Sequence, residues 1–422
     1  MKQTVISMLL AGIVSLPAIA QSAFEEINAN PALSAGKYYA YQAPEAKLTP
    51  VPEGYTPFYI STFARHGSRY LTKKKKYDSP LSILKEAARQ HKLTTDGQRA
   101  LNIIEKLAEE AAGRYGELTP KGAQQHKDLI RRMYTNYPQV FTDGTHVDAR
   151  STYKTRAFLS MAAACVELKG LNPRLVITTD VSEHDAYYIK YKNPTYEEAH
   201  LANADSVYIH PERLMKQLFI NADIVKDPRQ LMADLFELHG ISQSSYHQED
   251  LSFLFTSQER YDLWQRNNFE WYYEKGASPL SGSCMYKLER NLLRNFIETA
   301  DTVISSKKNC VTLRYGHDTN LAPLAALMGI DKLSFATADW QKIADTYRTY
   351  RIIPMCGNIQ LIFFHKLDND DILVKLLLNE REVTLPLPTD TAPYYHWKDV
   401  RNYWQKIVDA TELPAVDSNT TD

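Results

Sequence analysis

Residues 58–72 read FYISTFARHGSRYLT. Aromatic and β-branched residues run between Pro57 and Gly67, a composition that predicts a strand. The stretch ends in Arg65-His66-Gly67-Ser68-Arg69, two arginines around a histidine and a glycine. Two guanidiniums at the end of a strand offer planar forks that match phosphate oxygens, which a lysine cannot do bidentately. A histidine held between them can attack phosphorus, and a glycine beside it lets the backbone approach a ligand closely. By composition alone, the same residues also describe a strand end with solvated arginines and an incidental histidine.

The surrounding chain bounds what such a stretch could serve. With 422 residues, 44% of them hydrophobic, it can bury one large core or two modest ones. Met1-Lys2, an apolar run over 5–18 and Ala18-Ile19-Ala20 before Gln21 read as a secretory signal cleaved near Ala20. The run is shorter than the ~20 residues that span a bilayer, and no cysteine at the cleavage point offers a lipid attachment. The expectation is an exported protein without a membrane anchor, periplasmic or extracellular, with a bacterial periplasm fitting best. The net charge of −1 becomes −2 once Lys2 is removed, so nothing biases the whole chain toward nucleic acid or anionic lipid. Any attraction for anions must be local. Cys165, Cys284, Cys310 and Cys356 show no zinc spacing. Export permits disulfides, but a chain this long does not need them, and buried thiols are expected for most.

Moving outward from the opening stretch, 21–56 is an Ala-, Pro- and Tyr-rich lead-in without a sustained period. Lys73-Lys74-Lys75-Lys76 follows the arginines. Such a run is ordinarily a solvated face, but its position suits a substrate bearing several phosphates. Apolar spacing predicts helices over 79–136, with Leu118-Thr119-Pro120-Lys121-Gly122 opening one by a Thr cap and a Pro at its first position. A short extended stretch surrounds Val147, a helix is predicted over 153–168 and a strand over 175–179. From 181 to 280 the texture turns to Tyr, His, Asn and Gln with short helical patches at 211–219 and 231–239, which reads as an inserted, mostly helical cap domain. A helix over 286–305 and a strand over 309–314 then lead into Tyr315-Gly316-His317-Asp318-Thr319-Asn320 and an apolar helix over 321–328. Strand, glycine, polar pair and helix is the order that puts side chains at the carboxyl edge of an open α/β sheet. A strand over 358–365, a hairpin over 372–385 and a helix over 397–408 close the chain. The expected fold is α/β: a mostly parallel central sheet flanked by helices, built from 21–180 and 281–422, with 181–280 as the cap.

The motif at Arg65-His66-Gly67-Ser68-Arg69 resembles the signature of the histidine acid phosphatase family, which includes acid phosphatases, phytases and inositol-polyphosphate phosphatases. His317-Asp318 resembles its second signature. Leu118 to Gly122 before Gln124 and Gln125 is similar to a structural element of the family, and Arg150-Ser151-Thr152 is followed by Arg156 as in the acid phosphatases. The resemblance implies that His66 is the nucleophile and that Arg65, Arg69 and Arg156 clamp the phosphoryl oxygens, with His317 as a further donor. Asp318 would protonate the leaving oxygen and then take a proton from water. Arg150 would brace its loop. The continuation Arg69-Tyr70 with Thr72, Lys75, Lys76 and Tyr77 looks similar to phytases, which implies Thr72, Lys75 and Lys76 in substrate binding. Two departures stand out: Leu71 where many members carry proline, and His-Asp where the inositol-polyphosphate branch commonly carries His-Ala-Glu. A rival dipeptide, His184-Asp185, lies several residues past its strand and precedes an aromatic run. Neither metal nor cofactor is implied, because arginines match the charge of the transferring group. The expected function is hydrolysis of small phosphomonoesters through a phosphohistidine, by a phytase or a broad acid phosphatase. A phosphoglycerate-mutase-like transferase and a catalytically silent phospho-ligand-binding protein are the alternatives.

Overall fold

The computed structural model describes residues 21–45, 47–184, 186–189, 199–246, 250–367 and 369–411. The leader over 1–20 and Asp185 of the rival dipeptide lie outside them.

The strand expected at the opening stretch is β1 (Tyr55–Arg65). It alternates Tyr59 and Phe63 toward one core with Ile60 and Ala64 toward another, so both faces of the strand are covered. Around it lie β2 (His146–Ser151), β3 (Val176–Asp180), β4 (Cys310–Gly316), β5 (Asn358–Lys366), β6 (Ile372–Leu378), β7 (Arg381–Glu382) and β8 (Tyr394–His396). They form one sheet in the order β3-β2-β4-β1-β5-β6-β7, with β8 also on β6. The half made of β3, β2, β4 and β1 is parallel throughout. From β5 onward the strands join antiparallel, and the expected hairpin is β6 with β7.

Before the sheet, residues expected to be irregular form α1 (Ala23–Ala29), with a Ser22–Glu25 capping box, and a 3-10 turn over Pro31–Tyr38. The apolar spacing of 79–136 becomes α2 (Lys75–Arg89), α3 (Thr95–Ala111) and α4 (Pro120–Asn136). Thr119 caps α4 and Pro120 opens it, as its sequence predicts. Next come α5 (Thr155–Leu171), then α6 (Ala199–Tyr208), α7 (Glu212–Leu218), α8 (Pro228–Ser242) and α9 (Ser257–Lys275) in the region read as mostly helical. The second half adds α10 (Arg290–Ser306), α11 (Asp318–Leu327), α12 (Trp340–Thr346), α13 (Thr349–Ile352) and α14 (Trp397–Ala410).

The packing is layered. Ile130, Met133, Met161, Ala164 and Leu168 of α4 and α5 cover one face of the sheet. Leu293, Phe296, Leu321, Leu324 and Trp404 of α10, α11 and α14 cover the other. A third apolar cluster lies beside the sheet and joins α2 and α3 to α7, α8 and the lead-in through Leu84, Ile104, Leu218, Leu235 and Tyr38. That cluster matters for the site, because it brings α8 and the 3-10 turn to the end of β1. Among the described residues no helix is long and apolar enough to cross a membrane. Cys356 is buried and unpaired, while Cys165, Cys284 and Cys310 are free and only half-buried.

Candidate active site

Three neighbouring parallel strands, β2, β4 and β1, end at the same edge, so the loops that follow them meet. His66 donates its backbone N–H to Gly316 O at 3.0 Å, and Thr152 donates to Tyr315 O at 3.0 Å. The loop at 65–69 is clamped from behind by α4. Thr119 donates from both its backbone N–H and its hydroxyl to Ser68 O, at 2.9 and 3.1 Å, and Gln125 Oε1 accepts from Ser68 N at 2.9 Å. Two glycines make this approach possible. A Cβ on Gly67 would lie 2.3 Å from Gly122 O, and a Cβ on Gly122 would lie 2.2 Å from Ser68 O. Ser160 of α5 accepts from Gly67 N at 3.1 Å and completes the hold.

On this frame the imidazole of His66 is buried, with Nδ1 2.9 Å from Gly67 O. A carbonyl can only accept, so Nδ1 carries the proton and Nε2 presents its lone pair. Burial, with the charges of Arg156, Arg65 and Arg69, holds the ring well below its usual pKa, so it is neutral. The His317 ring lies 5.5 Å from it, centroid to centroid, and its Nε2 is 3.0 Å from Thr152 Oγ1. Burial and Arg156 lower the His317 pKa to about 3, so this ring is neutral too.

Arg65 is fully buried. Its Nη1 donates to Lys37 O at 2.5 Å and Ile353 O at 2.6 Å, and its Nη2 lies 2.7 Å from Asp318 Oδ2. Arg69 donates to Tyr70 O at 2.8 Å and lies over the Tyr38 ring at 5.6 Å. Buried Nε atoms of Arg65, Arg69 and Arg156 have no hydrogen-bond partner. Desolvation lowers Arg65 and Arg156 to about 10, which leaves both charged at neutral pH. Asp318 opens α11, and its Oδ1 accepts from Thr319 N at 2.9 Å. Burial would raise its pKa, but Arg65, Arg69 and Lys37 together outweigh that and hold it well below the ordinary carboxylate range. Three desolvated cations around two neutral imidazoles form a place for a tetrahedral dianion, with one carboxylate at its edge.

Arg65, His66, Arg69, Arg156, His317 and Asp318 are thus brought together, from segments more than 250 residues apart. Arg150 is not part of this group: it pairs with Asp148 at 2.9 Å and Asp180 at 3.2 Å. Thr72 and Arg156 both border Gly116: a Cβ built there would lie 3.6 Å from Thr72 Cγ2 and 3.8 Å from Arg156 Nη1. Lys75 is exposed at the start of α2, and Lys76 is paired with Glu237 of α8. Sequence reasoning missed Lys37 and Tyr38, which sit in a lead-in with no motif and reach the site only because the third cluster packs them there. It also gave Thr152 no role, although that residue lies in the quoted Arg-Ser-Thr triplet and orients His317. Among the described residues no group of three or more His, Cys, Asp or Glu side chains could hold a metal ion.

The family model for the histidine phosphatase superfamily (branch 2) matches residues 60–379. The chain belongs to that superfamily. Its match spans both signature loops and the helical region between them. Among curated relatives, multiple inositol polyphosphate phosphatase 1 of Gallus gallus is 23% identical over 442 residues, covering 95% of this chain and 94% of the relative. The crystal structure of Bifidobacterium longum multiple inositol polyphosphate phosphatase with inositol hexasulfate superposes with a TM-score of 0.72 at 20% identity, covering 88% of this chain and 97% of that one. The phytase from D. castellii gives a TM-score of 0.70 at 16% identity over 90% of this chain and 86% of that one. These structures share the fold.

Proposed function

We propose that the protein hydrolyses phosphomonoesters through a phosphohistidine on His66, with inositol polyphosphates as the substrate class. The observation that carries this reading is the tautomer of His66. With Nδ1 bound to Gly67 O, the Nε2 lone pair is left free in the field of the buried Arg65 and Arg69 and the half-buried Arg156. Phosphoryl transfer needs little covalent help and much charge matching, and Arg65, Arg69 and Arg156 supply it. His66 Nε2 displaces the ester oxygen and forms the N–P bond as the O–P bond breaks. Asp318 donates a proton to the departing oxygen, then takes one from the water that cleaves the N–P bond.

The free protein holds Asp318 ionised against Arg65, so the acid must gain its proton once a phosphoryl dianion has taken over the arginines. Acid solution favours that step, consistent with the family resemblance. Names of relatives that act on inositol polyphosphates, and the lysines after Tyr70, support the substrate class. We further read α6 to α9 as the cap over the site, and the apolar run at 5–18 as an export signal.

A substrate panel tests the reading directly: phytate, sugar phosphates, nucleotides and an aryl phosphate, each followed by phosphate release. Acid-labile, base-stable label from radioactive phosphate should form on the wild-type protein. Release from none of the four, or a label absent under turnover, would remove the reading. Transfer from a bisphosphoglycerate in place of hydrolysis would identify a transferase.

A further inference from the structure

Next to the arginine loop, on the side of the 3-10 turn and α8, lies a cavity of about 490 Å³. Its wall carries Lys37, Tyr38, Lys76 and Glu237, with Asp234 and Arg266 farther along. Glu237 is the hub. Tyr38 Oη donates to its Oε1 at 2.5 Å, and the Lys76 ammonium is paired with the same oxygen. The Lys37 charge acts on this carboxylate together with that of Lys76, and on Asp318 together with those of Arg65 and Arg69. The Lys37 ammonium rides 5.3 Å from both the Tyr38 and Trp271 rings, and the Arg69 guanidinium lies 5.6 Å from the Tyr38 ring. The cavity wall is therefore linked to the arginine loop by the contact of Tyr38 with Arg69 and by the Lys37 charge.

A second phosphate on a bound substrate would enter this cavity toward Lys37 and Lys76 and would find a carboxylate already there. Like charges facing each other across a site are a strong device for rejecting partners. We propose that Glu237 is a specificity-determining residue: it competes with peripheral phosphate groups for Lys37 and Lys76, and so sets how strongly polyphosphorylated esters are preferred over monophosphates. The proposal rests on the phosphatase reading above. It gives Lys76 a different part from that of a free surface cation, since the lysine must exchange one anion for another.

Glu237→Gln keeps the shape, and its amide oxygen still accepts from Tyr38 Oη, while the charge is removed. kcat and KM would be measured for phytate and for glycerol phosphate over a range of salt. The KM for phytate should fall by about fivefold to tenfold and become more salt-dependent. The ratio of kcat/KM between phytate and glycerol phosphate should rise by a similar factor. Glu237→Asp, which keeps the charge, should leave the ratio near that of the wild type. An unchanged ratio in Glu237→Gln overturns the proposal, and a lowered ratio shows that Glu237 positions the lysines instead. Should that variant not fold, Lys76→Gln and Lys76→Gln/Glu237→Gln can be compared with each other. Both lack the lysine, so the double variant must bind phytate more tightly; equal or weaker binding overturns the proposal. Failure of the wild type to release phosphate from either ester would remove the phosphatase reading and this proposal with it. Release with an unaltered ratio removes this proposal alone.

Discussion

Around His66 three arginines face one carboxylate, whereas the neighbouring cavity wall carries five acids, Asp205, Asp227, Asp234, Glu237 and Glu270, against four cations. The first group comes from strand ends and the turns just after them, with its donors turned inward and partly unpartnered. The second is assembled across the chain: Lys76 and Tyr38 reach Glu237 over separations of 161 and 199 residues. An excess of desolvated positive charge is ready for an anion, which has only the Asp318 carboxylate to displace from Arg65 when it arrives. A cavity in which Lys76 and Arg266 are already paired must trade one partner for another, which weakens binding but makes it selective. The arginine loop is thus suited to chemistry, and the cavity to choosing what the chemistry acts on.

The sharpest way to break that division is to remove the nucleophile. His66→Ala should lower turnover by at least ~10⁴-fold on every substrate and abolish phosphoenzyme labelling. Undiminished labelling would put the chemistry elsewhere. Asp318→Asn comes next: loss on phytate should be on the order of 100-fold, because an inositol alkoxide leaves badly without a proton. The burst of nitrophenolate from nitrophenyl phosphate should be far less impaired, since that leaving group is stable near neutrality. Equal loss of burst rate with both leaving groups would acquit Asp318.

Gly122→Ala asks whether the loop's position or only its composition matters. Its Cβ would lie 2.2 Å from Ser68 O and 2.7 Å from Ser68 N, so the loop must move. A displacement of about 1 Å at the nucleophile costs up to ~10²-fold in kcat. Activity that survives with an unchanged kcat would show that α4 does not set the geometry.

Acid should distinguish the two regions by stability. Burial holds His126 and His317 to about 3 and His239 to about 4, with His66 lowered as well. Below the unfolded value of ~6.5 the unfolded chain takes up protons that the folded one refuses, so stability falls as pH drops toward 4. At pH 5 His126, His239 and His317 should each cost on the order of 2 kcal/mol relative to pH 7. Inorganic phosphate should restore part of the loss, because a bound anion favours protonation of His66 and His317 but not of the distant His239. A phosphate-induced rise in Tm that is no larger at pH 5 than at pH 7 would contradict this. The smallest effect is expected from Lys75→Gln/Lys76→Gln: a rise of about threefold to fivefold in the KM for phytate, with weaker salt dependence and less change for an aryl phosphate. Equal changes on both substrates would mean that the lysines act on folding or on the general field.

Much of the architecture was legible from spacing and caps. The strand before Arg65, the Thr119-Pro120 helix start, the strand before Gly316 and the amphipathic closing helix all follow from local rules of period and capping, because the interactions that define them lie within one turn or one strand. The motif at 65–69 put two arginines and a histidine within five residues at a single strand end, and its resemblance to a family signature suggested the chemistry. The lead-in was different: its short α1 and 3-10 turn have caps but no sustained period, and they are held by packing in the apolar cluster that includes α8 and α9.

What the amino-acid sequence determined by itself was therefore the set of short-range elements and the cluster of arginines and histidine proposed to bind the phosphoryl group. The tertiary structure alone decided which of them meet. His317 stands beside His66 because β4 pairs with β1 in parallel, bringing Gly316 level with Arg65. Gly67 and Gly122 are obligatory together because two backbones touch there, a contact that neither stretch implies alone. Lys37 bears on Asp318, and Glu237 captures Lys76, because an apolar cluster far along the chain brings a structureless-looking lead-in and α8 to the mouth of the site. Charge acts through space and not along the chain, so a local motif can specify a phosphate clamp while the selectivity around it is written only in the fold.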